Sequence, residues 1–166
     1  MNDTPFVQMK ERLARNPGVV LEKLAEGSNL TMAQLIECLP EAMWRKVDGR
    51  HCVAVLEALP ALGDVTVIMH TADGIFEIGG AFPAGETGHG FYNLHGKQGL
   101  HGHLRAGRCQ AVYLVERPFM GRDSASLLFA NGDGGVMFKV FAGREADGSL
   151  KQSQLAALHA LMAAHA

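Results

Sequence analysis

The sequence predicts an α+β fold: a helical N-terminal section, an antiparallel sheet or barrel of about six strands, and a C-terminal helix. Three observations carry this. Apolar residues recur at helical spacing up to Pro60, the period then shortens to that of strands broken by Gly-rich turns, and the last segment returns to helical spacing. We divide the chain, as a single domain over residues 1–166, into a helical section (1–60), a sheet section (61–145) and a closing helix (146–166).

In the first section Phe6, Met9 and Leu13 share a helical face that ends at Asn16-Pro17. A second helix from about Gly18 carries Val20, Leu21, Leu24 and Ala25 and closes at Gly27-Ser28-Asn29. Thr31 starts a third, with Leu35, Ile36 and Leu39 inward and Pro40 as its stop. Residues 41–46 read as a further turn bearing Trp44, and 51–59 as a helix ended by Pro60. Strands follow at 64–70, 75–78, 100–104, 109–115, 124–129 and 136–141, with Asp73-Gly74 as a hairpin turn and Asn131-Gly132 leading into the last strand. The final helix spans about 151–164, with Leu155, Leu158 and Met162 on one face.

Composition narrows the function. At 48% apolar and 19% charged residues, the 166-residue chain has enough material for a core. A net charge of −2 gives no basic excess for phosphate contacts, so nucleic acid is an unlikely partner. No apolar run approaches the roughly 20 residues that span a bilayer, and the first ten residues lack a signal-peptide pattern. Cys38, Cys52 and Cys109 are widely spaced and odd in number, which reads as reduced, buried thiols in a cytoplasmic protein.

Four of the eight histidines, His89, His95, His101 and His103, fall between residues 89 and 103, in HGFYNLHGKQGLHGH. One reading is a divalent metal site, with His101 and His103 on one strand face, but no carboxylate or cysteine completes the set. A second is haem, which needs an axial ligand, apolar walls and cations for its propionates. His101, His103, Tyr113 and Met69 are potential ligands; Phe91, Leu94 and Leu100 are potential walls; Lys97, Arg105, Arg108 and Arg117 are potential propionate partners. A tyrosinate suits ferric iron but needs a neighbouring cation to hold its pKa down. The third reading is structural: histidines of Gly-rich loops often cap turns, and a tyrosine in an apolar strand is usually a core residue with a satisfied hydroxyl. The residues alone leave all three open.

The runs GFYNLHGKQGLHGHLR (90–105) and VERPFMGRDSASLLFANGDGGVMFKVFAGR (115–144) resemble the HutX/ChuX family of intracellular haem-utilisation carriers, and the similarity extends over nearly the whole chain. The resemblance implies an α+β split barrel and a homodimer. It further implies haem bound as cargo against the sheet and passed to a haem-degrading or haem-using partner. It also implies Tyr113, on the strand before ERPFMG, as the axial iron ligand, with His103 of LHGHL as second candidate or distal partner. His101, Arg117, Phe91 and Met69 complete the expected site. Arg117 would reach Tyr113 only if the chain bent after Val115; its bland role is an ion pair with Glu116 or Asp123.

Two other classes compete. Residues 19–39 have the shape of a helix-turn-helix, which suggests a haem- or metal-responsive DNA-binding regulator. Its second helix carries no Arg or Lys and includes Glu37, which opposes phosphate approach. A haem-degrading or flavin-linked enzyme on a related barrel is the other, but no nucleophile–base motif, GxGxxG or phosphate loop is present. A binding protein fits better than a catalyst.

Overall fold

The computed structural model describes residues 4–166. Helices α1 (Thr4–Arg15), α2 (Leu21–Glu26) and α3 (Met32–Glu37) precede strand β1 (Trp44–Asp48) and helix α4 (Cys52–Ala58). Strands β2 (Asp64–His70), β3 (Ile75–Ala81), β4 (Gly85–Gly88), β5 (Phe91–Leu94), β6 (Gly102–Leu104), β7 (Cys109–Phe119), β8 (Arg122–Asn131) and β9 (Val136–Phe141) follow, then helix α5 (Gln152–Ala164).

The strands form two antiparallel sheets. The larger has six strands in the order β1-β7-β8-β9-β2-β3, and the smaller has three in the order β4-β5-β6. The expected α+β class and closing helix are present, but the six strands of the large sheet are not the six read from sequence. Residues 44–48, of which 44–46 read in sequence as part of a turn over 41–46, are an edge strand paired with β7 from Trp44↔Val115 to Asp48↔Ala111. The strand expected near residues 100–104 instead belongs to the small sheet, with two further strands that the Gly-rich sequence of residues 85–94 concealed. The β7–β8 hairpin turns on Met120-Gly121, both at positive φ (50° and 76°), the conformation of a tight two-residue connection.

Burial divides by sheet face. On one side Val112, Leu114, Leu127, Phe129 and Val67 pack beneath α4, α5 and the small sheet. On the other, Ala111, Tyr113, Val115, Leu128 and Ala130 pack beneath α1–α3. Residues 111–115 are therefore buried on both faces, which is why they read as an unbroken apolar run. The helix-turn-helix-shaped segment is consumed in this packing: Leu21, Leu24, Met32, Leu35 and Ile36 are all buried against the sheet. Helix α3 has a capping box, with the Thr31 hydroxyl accepting from Gln34 N (3.2 Å) and Gln34 Oε1 accepting from Thr31 N (2.9 Å). No helix among the described residues is long and apolar enough to cross a membrane.

Candidate functional site: a cleft beside the small sheet

A cleft of about 370 Å³ opens between the large sheet and the small one. Its walls are apolar: Val67 and Met69 from β2, Met137 and Phe138 from β9, Phe82, and Leu94, Leu100 and Leu104 from around the small sheet. His103, Arg105 and Arg108 bound it on the side of β6 and the turn that follows. Met69 and His103, both expected from sequence, thus meet here.

Strand alternation fixes how His103 is presented. Tyr92 and Leu94 of β5 point into the core, so Phe91 and Asn93 face outward, and the register Asn93↔His103 sets the histidine ring beside them. His103 Nδ1 lies 2.6 Å from Asn93 Oδ1. The Asn93 amide nitrogen donates to the carbonyls of Gly88 (3.1 Å) and Glu86 (3.4 Å), so Oδ1 is the atom left to accept. Nδ1 therefore carries the proton and Nε2 keeps a free lone pair, the arrangement of a metal-ligating imidazole oriented by an outer partner. Phe91 flanks the same ring, with centroids 5.7 Å apart, and the Arg105 guanidinium sits over Phe91 at 5.1 Å. Arg108 pairs with exposed Asp133 at 2.8 Å. Exposed pairs of this kind contribute little, so Arg108 can exchange partners at small cost.

Tyr113, expected as the iron ligand, lies elsewhere. It is on the opposite face of the large sheet, only 1% exposed, and does not line this cleft. Its hydroxyl donates to Glu37 Oε1 at 2.6 Å. Burial, then the hydrogen bond and charge of Glu37, push its pKa upward, away from a tyrosinate. A cation does stand nearby, Lys46 at 5.5 Å from the ring, but it is also paired with Glu37 at 2.8 Å. In this conformation Tyr113 is a core residue that ties β7 to the end of α3.

Arg117 is likewise redirected. Strand β7 runs straight through to Phe119, so the bend that would have brought Arg117 to Tyr113 does not occur. Neither Glu116 nor Asp123 takes the ion pair; Glu116 bonds His159. Arg117 Nη1 instead donates to the carbonyls of Pro17 (2.7 Å) and Val19 (2.6 Å), strapping the α1–α2 connection to the sheet. It borders a second cleft of about 300 Å³ on the helical side, where Glu22 bridges Lys139 and His70.

The remaining histidines divide as their loops dictate. His101 is exposed, with Nδ1 3.1 Å from the Gly99 carbonyl, and does not line the cleft. His95 pairs with Glu86, and His89 occupies a turn at φ 54°. Asn93 was the residue that sequence reasoning missed. Its only signal was a shared parity with Phe91, because pairing with His103 depends on a register set across a long loop.

Comparison with known proteins adds the lineage. The family model described as haem utilisation ChuX/HutX matches residues 45–161. The intracellular heme transport protein HutX of Vibrio cholerae is 39% identical over 159 residues, covering 95% of this chain and 82% of that protein. A crystal structure of an Erwinia carotovora protein matches with TM-score 0.90 and 40% identity, covering 95% of this chain and 98% of that one. A structure of the heme binding protein ChuX matches with TM-score 0.85 and 37% identity, covering 94% and 97% respectively. The chain belongs to the haem utilisation ChuX/HutX family.

Proposed function

We propose that this protein is a cytoplasmic haem carrier that holds haem as cargo at the β6 cleft and passes it to a haem-degrading or haem-using partner. The observation that carries the reading is the His103–Asn93 pair, which leaves Nε2 free beside an apolar cleft bordered by two arginines. In this reading His103 is the axial ligand, Arg105 and Arg108 meet the propionates, Met69 and the leucines contact the porphyrin, and Phe91 buttresses the imidazole. The family's named members, a heme transport protein and a heme-binding protein, support haem as the cargo.

The dimensions favour a carrier over a store. A cleft of about 370 Å³ sits near the low end of ligand pockets (roughly 300–1,000 Å³), so a porphyrin would project from it and remain open to a recipient. One protein ligand and an exposed edge keep release fast. We also infer a homodimer, which the edge strand β3 supports: Ile75 and Phe76 are each 59% exposed.

The function is tested by loading the protein with one equivalent of haem and adding excess apomyoglobin. Transfer of the haem, and recovery of apo-carrier that reloads, is the expected result. A single-turnover reaction of the complex with reductant and oxygen is the companion arm. Conversion to a bile-pigment spectrum would contradict a carrier and favour the enzyme.

A further inference from the structure

The haem reading leaves three buried thiols unused, two of them on one sheet face. Cys52 (2% exposed) and Cys109 (6% exposed) pack in the core beneath the small sheet, whereas Cys38 belongs to the core on the opposite sheet face. Chain geometry forces the first two together. Strand β1 pairs Asp48 with Ala111, and the next residue, Gly49, crosses directly over Cys109. A Cβ at Gly49 would stand 2.1 Å from the Cys109 carbonyl oxygen, so only glycine permits the crossing. One turn later Cys52 opens α4 in the same buried cluster as Cys109, whose sulfur donates to the Ala111 carbonyl at 3.4 Å. A cleft of about 400 Å³, lined by Arg50, Thr87, Phe91 and Gly107 among others, is also lined by both cysteines. Two thiols of one buried cluster that border the same cavity, wide enough for small polar molecules, are more than inert core filler.

We infer that Cys52 and Cys109 form a peroxide-reactive dithiol that closes to a disulfide. The neighbouring Cys52 draws the Cys109 pKa down while that of Cys52 is pushed up, which makes Cys109 the attacking sulfur. Its thiolate attacks one oxygen of hydrogen peroxide; the O–O bond breaks, leaving a sulfenic acid on Cys109 and a hydroxide that leaves as water after taking up a proton. The Cys52 sulfur then attacks the Cys109 sulfur; the S–O bond breaks, and hydroxide departs with the Cys52 proton as a second water. Peroxide gains two electrons and the thiol pair loses two. The inference stands on this geometry and is independent of where haem binds.

The test treats the reduced full-length protein with hydrogen peroxide, alkylates the remaining thiols and maps peptides without reduction. The expected result is a Cys52–Cys109 cross-link, a mass loss of two hydrogens, Cys38 alone alkylated, and full reversal by dithiothreitol. In Cys52→Ser a sulfenic acid should be trapped by dimedone at Cys109, while Cys109→Ser should keep both its thiols at the same dose. Wild type that retains all three thiols, or links through Cys38, overturns the inference whether or not the variants fold. So does trapping of the sulfenic acid at Cys52.

Discussion

At His103 the neighbouring amide of Asn93 determines which ring nitrogen is free, and this pairing crosses two strands joined by a Gly-rich loop. Replacing Asn93 by Leu preserves volume but removes the acceptor, so the imidazole loses its fixed tautomer and orientation. The expected result is a haem Kd raised by roughly ten- to a hundredfold with folding intact, measured by absorbance titration and circular dichroism. Tyr113 marks the limit of sequence reading at this scale. Alternation along a strand tells inside from outside only when one face is wet, and residues 111–115 are buried on both faces. The sequence therefore made Tyr113 a strand residue near the site without revealing that it faces the helices. His103 drew notice because a histidine-rich loop stands out; its partner Asn93 did not.

Elements were legible in proportion to their periodicity. Helices α1 to α3, the β2–β3 hairpin and the β8–β9 turn lie where spacing and turn residues put them, while β1 was lost because five residues with three charges carry no period of their own. Pairing with β7 makes them a strand. The same tertiary control acts on α3, whose six residues are too few for an independent helix. Thr31→Ala removes half of its capping box, and we expect a loss of about 1 kcal/mol, seen as a lower urea midpoint with an unchanged slope. Helix α2 is held differently, by Glu22 on Lys139 of β9 and on His70. Burial by itself raises the Glu22 pKa, but the charge and hydrogen bond of Lys139 outweigh it and the net shift is downward. A folded-state pKa below the unfolded value means that this stabilisation is complete above the unfolded pKa, about 4.3, and fades as pH falls through the lowered one. Wild type should therefore lose stability across that acid window, and Glu22→Gln should lose less of it there while being about 1–3 kcal/mol less stable at pH 7. Parallel curves for the two proteins would contradict the role given to the pair.

Across the whole molecule the large sheet separates two chemistries. One face is covered by α1–α3 and holds Tyr113 and the second cleft; the other opens into the β6 cleft, which His103, Arg105 and Arg108 border. In the proposed homodimer the exposed edge at β3 seats the second copy, and Phe76→Glu should shift a wild-type dimer to monomer in sedimentation; a monomeric wild type at tens of micromolar would contradict the proposal. In the proposed site His103, and not the buried tyrosine, holds the iron. Haem titration followed by Soret spectroscopy of wild type, His103→Ala, Tyr113→Phe and His70→Ala tests it most directly. The expected result is a displaced Soret band and at least roughly tenfold weaker binding in His103→Ala alone. A wild-type spectrum in His103→Ala, with the loss appearing instead in Tyr113→Phe or His70→Ala, would move the site to the helical face and contradict the account.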